Sequence, residues 1–156
     1  EKVISKVNNV SFIIAGEGTL RSYFESELTE KKLADKITFL GQVTNMDDFY
    51  NNIDILLLTS ENEGFGRVLL EAMSFGKPVI AFDISSVRDI VSNICGLFAR
   101  FPDTNALADE IISLCSETNR SNYSEMSKAC LSRIKNCFDP NKKSKQLQMI
   151  YKNILS

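Results

Sequence analysis

Residues 53–82 read IDILLLTSENEGFGRVLLEAMSFGKPVIAF. Ile53 to Thr59 is a short apolar run of strand length, ended by the polar stretch that begins at Ser60. Gly66 to Phe75 has the length and periodicity of a helix, and Gly76 and Pro78 supply a C-terminal stop. Val79-Ile80-Ala81-Phe82 is a second short apolar run. Strand, helix and strand in that order form a crossover unit, in which both strands lie parallel and apolar side chains cover both sheet faces.

The same alternation extends outward. Val10 to Gly16 reads as a buried strand ending on glycine, and a helix from about Leu20 to Lys32 follows. Ile37 to Gly41 is a strand, and Asp47 to Asn52 a short helix capped by Asn45. Gly96 to Ala99 is a short fifth strand. Three helices close the chain: Thr104 to Ser116, capped by Asp103 or Thr104, then Asn122 to Asn136, then Asn141 to Leu155. In the last, Leu147, Ile150, Tyr151 and Ile154 mark an apolar face that needs something to pack on. The expected fold is α/β, a Rossmann-like parallel sheet with helices on both faces, forming a single domain over residues 1–156. In such sheets ligands bind at the carboxyl ends of the strands. The loops Gly16-Glu17-Gly18, Gly41-Gln42-Val43 and Ser60 to Gly66 all lie at such ends.

Composition narrows the chemistry. The 156 residues are 44% hydrophobic and 24% charged, with a net charge of −2. This is globular composition, and so small a charge gives no broad field to draw nucleic acid. The longest apolar run is too short to span a bilayer. Histidine is absent, so a Ser-His-Asp or Cys-His arrangement cannot be built from this chain. Cys95, Cys115, Cys130 and Cys137 form no CxxC pair, which argues against a zinc site and suits a reducing cytoplasm. Cys130 and Cys137, seven apart in a helical stretch, read as core packing. Lys142, Lys143 and Lys145 read as a solvated helix face. Residue 1 is Glu, and Val3, Ile4 and Val7 already show helical spacing, so an upstream region is expected.

Two glutamates flank the glycine step. The helix after Gly66 looks apolar nearly all round, with Arg67, Glu71 and Ser74 as its polar stripe. A carboxylate there needs a partner. Arg67 offers an i,i+4 pair. A ligand with paired hydroxyls, such as a ribose, offers the other solution. Glu63 is either a solvated loop acid or an acceptor for a sugar hydroxyl. The N–H groups of Gly66, Arg67 and Val68 would favour a phosphate at the helix start. Gly16 and Gly18 form either a plain turn or a ligand loop. The third glycine of a dinucleotide fingerprint is missing, since position 21 is Arg21.

Taken together, GEG-x-L after one strand, FLGQV after the next, and EGFGRVLLEAMSFGKPVIAFD resemble the C-terminal domain of retaining glycosyltransferases of the GT-B fold. These form the large GT4-type group, the glycosyl transferases group 1. The resemblance covers roughly residues 10–115. It implies a donor-binding half that takes a nucleotide-diphosphate sugar, for transfer of the sugar with retention to an acceptor hydroxyl in cell-surface polysaccharide or glycolipid synthesis. Glu63 would be the catalytic-site acid on the donor sugar hydroxyls. Gly64, Phe65, Gly66, Arg67 and Val68 would approach sugar and diphosphate, and Glu71 would hold the ribose. Gly16, Gly18, Gln42 and Val43 would line the nucleotide. No cofactor or metal is implied. The phosphate-binding Arg and Lys would lie upstream of the strand that ends at Gly16, before Glu1, and the acceptor glycan or lipid would sit on a separate N-terminal domain outside this sequence. The location implied is cytoplasmic, with room for peripheral contact at the inner membrane face.

The sequence departs from the family pattern after the fourth strand. A usual Gly-Gly-x-x-Glu reads Ser85-Ser86-Val87-Arg88-Asp89, and Cys95-Gly96 replaces a common Asn-Gly. Two other readings compete: a non-catalytic sugar-nucleotide-binding or assembly domain, and a sugar-nucleotide epimerase of similar fold.

Overall fold

The computed structural model describes residues 1–155. A short helix α1 (Lys2–Lys6) leads into β1 (Phe12–Ala15), α2 (Arg21–Glu30), β2 (Ile37–Gly41), α3 (Met46–Asn51) and β3 (Leu56–Leu58). Then come α4 (Arg67–Ser74), β4 (Val79–Phe82), α5 (Ser85–Ile90) and β5 (Gly96–Ala99). The helices α6 (Thr104–Cys115), α7 (Arg120–Cys137) and α8 (Pro140–Leu155) end the chain.

Every strand pairing is parallel, as the crossover pattern requires. Where one sheet was expected, the strands divide into a pair, β1–β2, and a triple in the order β3–β4–β5. In the triple, Leu56 faces Val79 and Val79 faces Gly96. All of β4 is buried. Its side chains alternate between two cores because successive residues of a strand point to opposite faces. Val79 and Ala81 meet Leu69 and Met73 of α4, Val87 of α5 and Cys130 of α7. Ile80 and Phe82 meet Leu107 and Ile111 of α6 and Val3 of α1. Helices on both faces of this sheet are thus a consequence of a strand with no polar residue.

Local signals explain the helix ends. The Asn45 side chain accepts from the Asp48 N–H at 3.2 Å and starts α3. Asp103 accepts from the Ala106 N–H at 2.9 Å and starts α6. Gly76 closes α4 with φ 68° while Lys77 N–H donates to Ala72 O at 3.0 Å, so the chain turns sharply into β4.

Further expectations need correction. β1 is not a buried strand: Ile13 and Ile14 are 37% and 43% exposed. A four-residue apolar run does not reveal whether a layer covers it. The helix α4, whose nearly all-round apolar sequence suggests full burial, is buried on one side only, with Leu69, Ala72 and Met73 inside and Val68 exposed. Cys130 is core but Cys137 is exposed. Burial and the neighbouring Cys95 push the Cys130 thiol up to about 12. Finally, α5 was not expected; it is short and has no side-chain cap to announce it. The apolar face of α8 contains no buried residue.

Met73 is fully buried and Val68 is 37% exposed on the same helix. Met73→Ala should cost about 2–5 kcal/mol in urea unfolding. Val68→Ala should cost under about 1 kcal/mol. Equal losses would mean that α4 is turned the wrong way.

Candidate functional site

The carboxyl ends of the strands carry the expected loops, in two groups. In the first, Gly16 at the end of β1 donates its N–H to Gly41 O at 2.7 Å, which ties the two loops together. Gln42 is exposed and Val43 half-buried just beyond, and Gly18 is exposed before α2. Arg21 braces this group: it pairs with Glu17 at 3.1 Å and Glu25 at 2.9 Å, which raise its pKa, the Glu25 hydrogen bond most of all.

The second group surrounds the start of α4. Gly66 has φ 60° and ψ 52°, the left-handed region that residues with a Cβ rarely adopt. This turn redirects the chain from the loop after β3 into α4. It also brings Glu63 back over the helix end, where its Oε1 accepts from the Gly66 N–H at 3.2 Å. The N–H groups of Arg67 and Val68 belong to the first turn, which a helix leaves without partners of its own. They give the end a partial positive charge that suits an anion. Gly64 and Phe65 lie exposed on the approach to it.

Glu71 lies one turn inside. Its Oε1 is 3.5 Å from Arg67 Nη2, so the i,i+4 pair exists. The side chains are 83% exposed for Arg67 and 38% for Glu71, so this is a surface pair of small energy. Sequence reasoning did not anticipate the second partner: the Tyr50 hydroxyl donates to Glu71 Oε2 at 2.9 Å. Burial, reinforced by the Glu71 carboxylate, raises the pKa of that phenol, so it stays protonated. Tyr50 is on α3, which follows Val43 closely, so α3 connects the β2 loop to α4. The only sequence hint of this was the aromatic pair Phe49-Tyr50 on a six-residue helix.

At the carboxyl end of β4, Arg88 grips Asp83 through Nε at 2.6 Å and Nη2 at 2.8 Å. It also donates to Asn93 Oδ1 and lies 3.9 Å above the Phe98 ring. The Arg88 hydrogen bonds hold the Asp83 carboxyl below its usual range. Ser85 and Ser86 open α5 directly beyond, and Asp89 follows on the same helix. Thus the structure gathers Glu63, Gly66, Arg67, Val68 and Glu71 around one helix end and joins Gly16 to Gly41 beside Gln42. Among the described residues no group of three or more His, Cys, Asp or Glu side chains could hold a metal ion.

Residues 2–130 match the family model described as glycosyl transferases group 1. The lipopolysaccharide core biosynthesis mannosyltransferase LpsB of Rhizobium meliloti (strain 1021) is 39% identical over 105 residues, which cover 62% of this chain and 30% of that protein. A mutant of S. aureus TarM, solved in complex with fondaparinux, alpha-GlcNAc-glycerol and UDP, superposes with a TM-score of 0.86 and 25% identity over 96% of this chain and 30% of that one. The C-terminal domain of a glycosyl transferase group 1 family protein, LpcC of Francisella tularensis, superposes with a TM-score of 0.70 at 16% identity, over 85% of this chain and 90% of that one. The last is a likeness of fold alone. The chain spans less than half the length of the curated relatives it matches.

A Cβ on Gly66 would meet Leu69 Cδ1 at 2.6 Å, whereas one on Gly64 would meet nothing within 4 Å. Gly66→Ala should therefore cost about 1–3 kcal/mol in chemical denaturation, and Gly64→Ala under about 1 kcal/mol. Equal tolerance at both positions would contradict the left-handed turn.

Proposed function

The chain belongs to the glycosyl transferases group 1, and on that premise we propose that it is the donor-binding half of a retaining glycosyltransferase. Its fold is that of the C-terminal domain of GT-B glycosyltransferases. In this reading the full protein moves a hexosyl-type sugar from a nucleotide-diphosphate sugar to an acceptor hydroxyl. One observation carries the reading: the open N-terminus of α4 is flanked by Glu63 on its loop side and Glu71 one turn inside.

The chemistry follows from that placement. The diphosphate sits on the N–H groups of Arg67 and Val68, and the backbone of Gly64, Phe65 and Gly66 closes on the sugar. Glu63 accepts the donor sugar hydroxyls. Glu71 accepts the ribose hydroxyls, and Arg67, held only by a surface pair, turns from Glu71 to the phosphates. Gly16, Gly18, Gln42 and Val43 line the nucleotide. In the transition state the bond from anomeric carbon to phosphate oxygen lengthens and the sugar becomes oxocarbenium-like. Negative charge builds on the leaving diphosphate. The helix terminus and cationic side chains stabilise it in place, without a metal. The acceptor, a glycan or lipid, reaches the anomeric carbon from a second domain, and the isolated chain binds donor weakly and does not turn over.

Relatives named for lipopolysaccharide core, O-antigen and capsular polysaccharide biosynthesis support a cell-surface product. No helix among the described residues is long and apolar enough to cross a membrane. We place the protein in the cytoplasm, in peripheral contact with the inner membrane face where a lipid acceptor is used.

The test is calorimetric titration with UDP, GDP and ADP and their glucose conjugates. Glu71→Ala should weaken bare and sugar-bearing nucleotide alike by about 1.5–3 kcal/mol, the range for a hydrogen bond to a charged group. Glu63→Gln should spare the bare nucleotide and weaken only the conjugate. Equal losses for both ligands in Glu63→Gln would remove that residue from the sugar. An undisturbed nucleotide affinity in Glu71→Ala would remove Glu71 from the ribose.

A further inference from the structure

The two oxygens of Glu71 are held by groups of opposite character. Oε1 faces Arg67, an exposed cation at 3.5 Å. Water or a ligand can take that place at little cost. Oε2 accepts from the Tyr50 hydroxyl at 2.9 Å, and Tyr50 is only 2% exposed. Its ring is stacked on Phe75, with centroids 5.5 Å apart, and meets Phe49 edge-on at 5.3 Å. Ile53 and Ala72 complete the same apolar cluster. The phenol therefore has no freedom to follow the carboxylate; the carboxylate must come to it.

The stoichiometry of donors matters here. A tyrosine hydroxyl has one hydrogen, and an ionised carboxylate offers about four acceptor positions on two oxygens. After accepting from Tyr50, Glu71 retains capacity for two further hydroxyl hydrogens. A buried cation in place of the phenol would neutralise the carboxylate and compete with a ligand. A neutral donor orients it and leaves its charge in place.

We infer that Tyr50 is a positioning residue that fixes the Glu71 carboxylate in the orientation that accepts a vicinal diol of the nucleotide ribose. This rests on the assignment of Glu71 to the ribose made above. Tyr50 does not touch the ligand. It confers discrimination for ribose through Glu71, and α3 thereby transmits the position of the β2 loop to the floor of the site. Arg67 plays the complementary part, leaving Oε1 when the diol arrives.

The experiment measures dissociation constants for UDP, GDP and ADP, each beside its 2′,3′-dideoxy analogue. The proteins are the parent, Glu71→Ala and Tyr50→Phe, each checked by circular dichroism. The parent should prefer the ribonucleotide by about tenfold or more, the scale of a hydrogen bond to a carboxylate. Glu71→Ala should abolish that preference. Tyr50→Phe, which keeps the ring, should cut the preference severalfold while leaving the affinity for the dideoxy analogue unchanged. An intact preference in Tyr50→Phe would overturn the inference. So would an equal fall for both analogues, or a variant that no longer folds, because either would make the hydroxyl merely structural. If Glu71→Ala loses the preference and Tyr50→Phe does not, the ribose assignment stands and only the positioning role fails. A parent that binds none of the three nucleotides, or binds one without preferring ribose, would sink both together.

Discussion

The left-handed turn at Gly66 is the constraint on which the site depends. It is where the loop after β3 becomes α4, and its φ of 60° is the value that a side chain would oppose. That turn sets the helix axis so that Leu69 and Met73 enter the core beside β4. The same turn leaves the Arg67 and Val68 N–H groups at an open helix end and brings Glu63 back to the Gly66 N–H. Core and site are therefore two results of one backbone angle. Burial of Leu69 and Met73 holds the helix end still, and a fixed dipole can stabilise developing charge without reorganising at the moment of reaction.

Around this fixed end the energetics are graded. Tyr50 and its aromatic neighbours are packed, and a buried hydroxyl with its partner is costly to disturb. The Arg67–Glu71 pair is exposed and costs little to open. Arg88 is different again: its bidentate grip on Asp83, with Phe98 beneath, ties the end of β4 to α5. The site thus combines rigid elements that define where a ligand sits with one exposed cation that can change partners. The proposed glycosyl donor would need both, since its sugar and ribose must be held while its diphosphate gains charge.

Much of this was legible in the sequence where local chemistry decides structure. The apolar run Val79 to Phe82 required layers on both faces, and Gly76 with Pro78 stopped α4 where the pattern placed the stop. Glu63, Gly66 and Glu71 stood out because a glycine step before an apolar helix marks an open helix end, and a carboxylate on either side of it needs a partner. The rest depended on contacts distant in sequence. Tyr50 meets Glu71 across 21 positions, and no periodicity announces such a pair. Ile13 and Ile14 look like core residues, yet no layer covers them. Cys137 shares a helical face with Cys130 by spacing, yet it is exposed while Ile134 and Phe138 beside it pack against the core. The short α5 carries no cap for a reader to find.

The most direct test of the proposed donor site is an amide-resolved titration of the ¹⁵N-labelled protein with UDP-glucose, GDP-glucose and ADP-glucose in turn. One donor should shift the amides of Gly66, Arg67 and Val68 most strongly, with further shifts at Glu63, Glu71 and residues 41–43. Unmoved amides at the start of α4, with shifts elsewhere or none for any donor, would contradict the claim that this helix end receives the diphosphate.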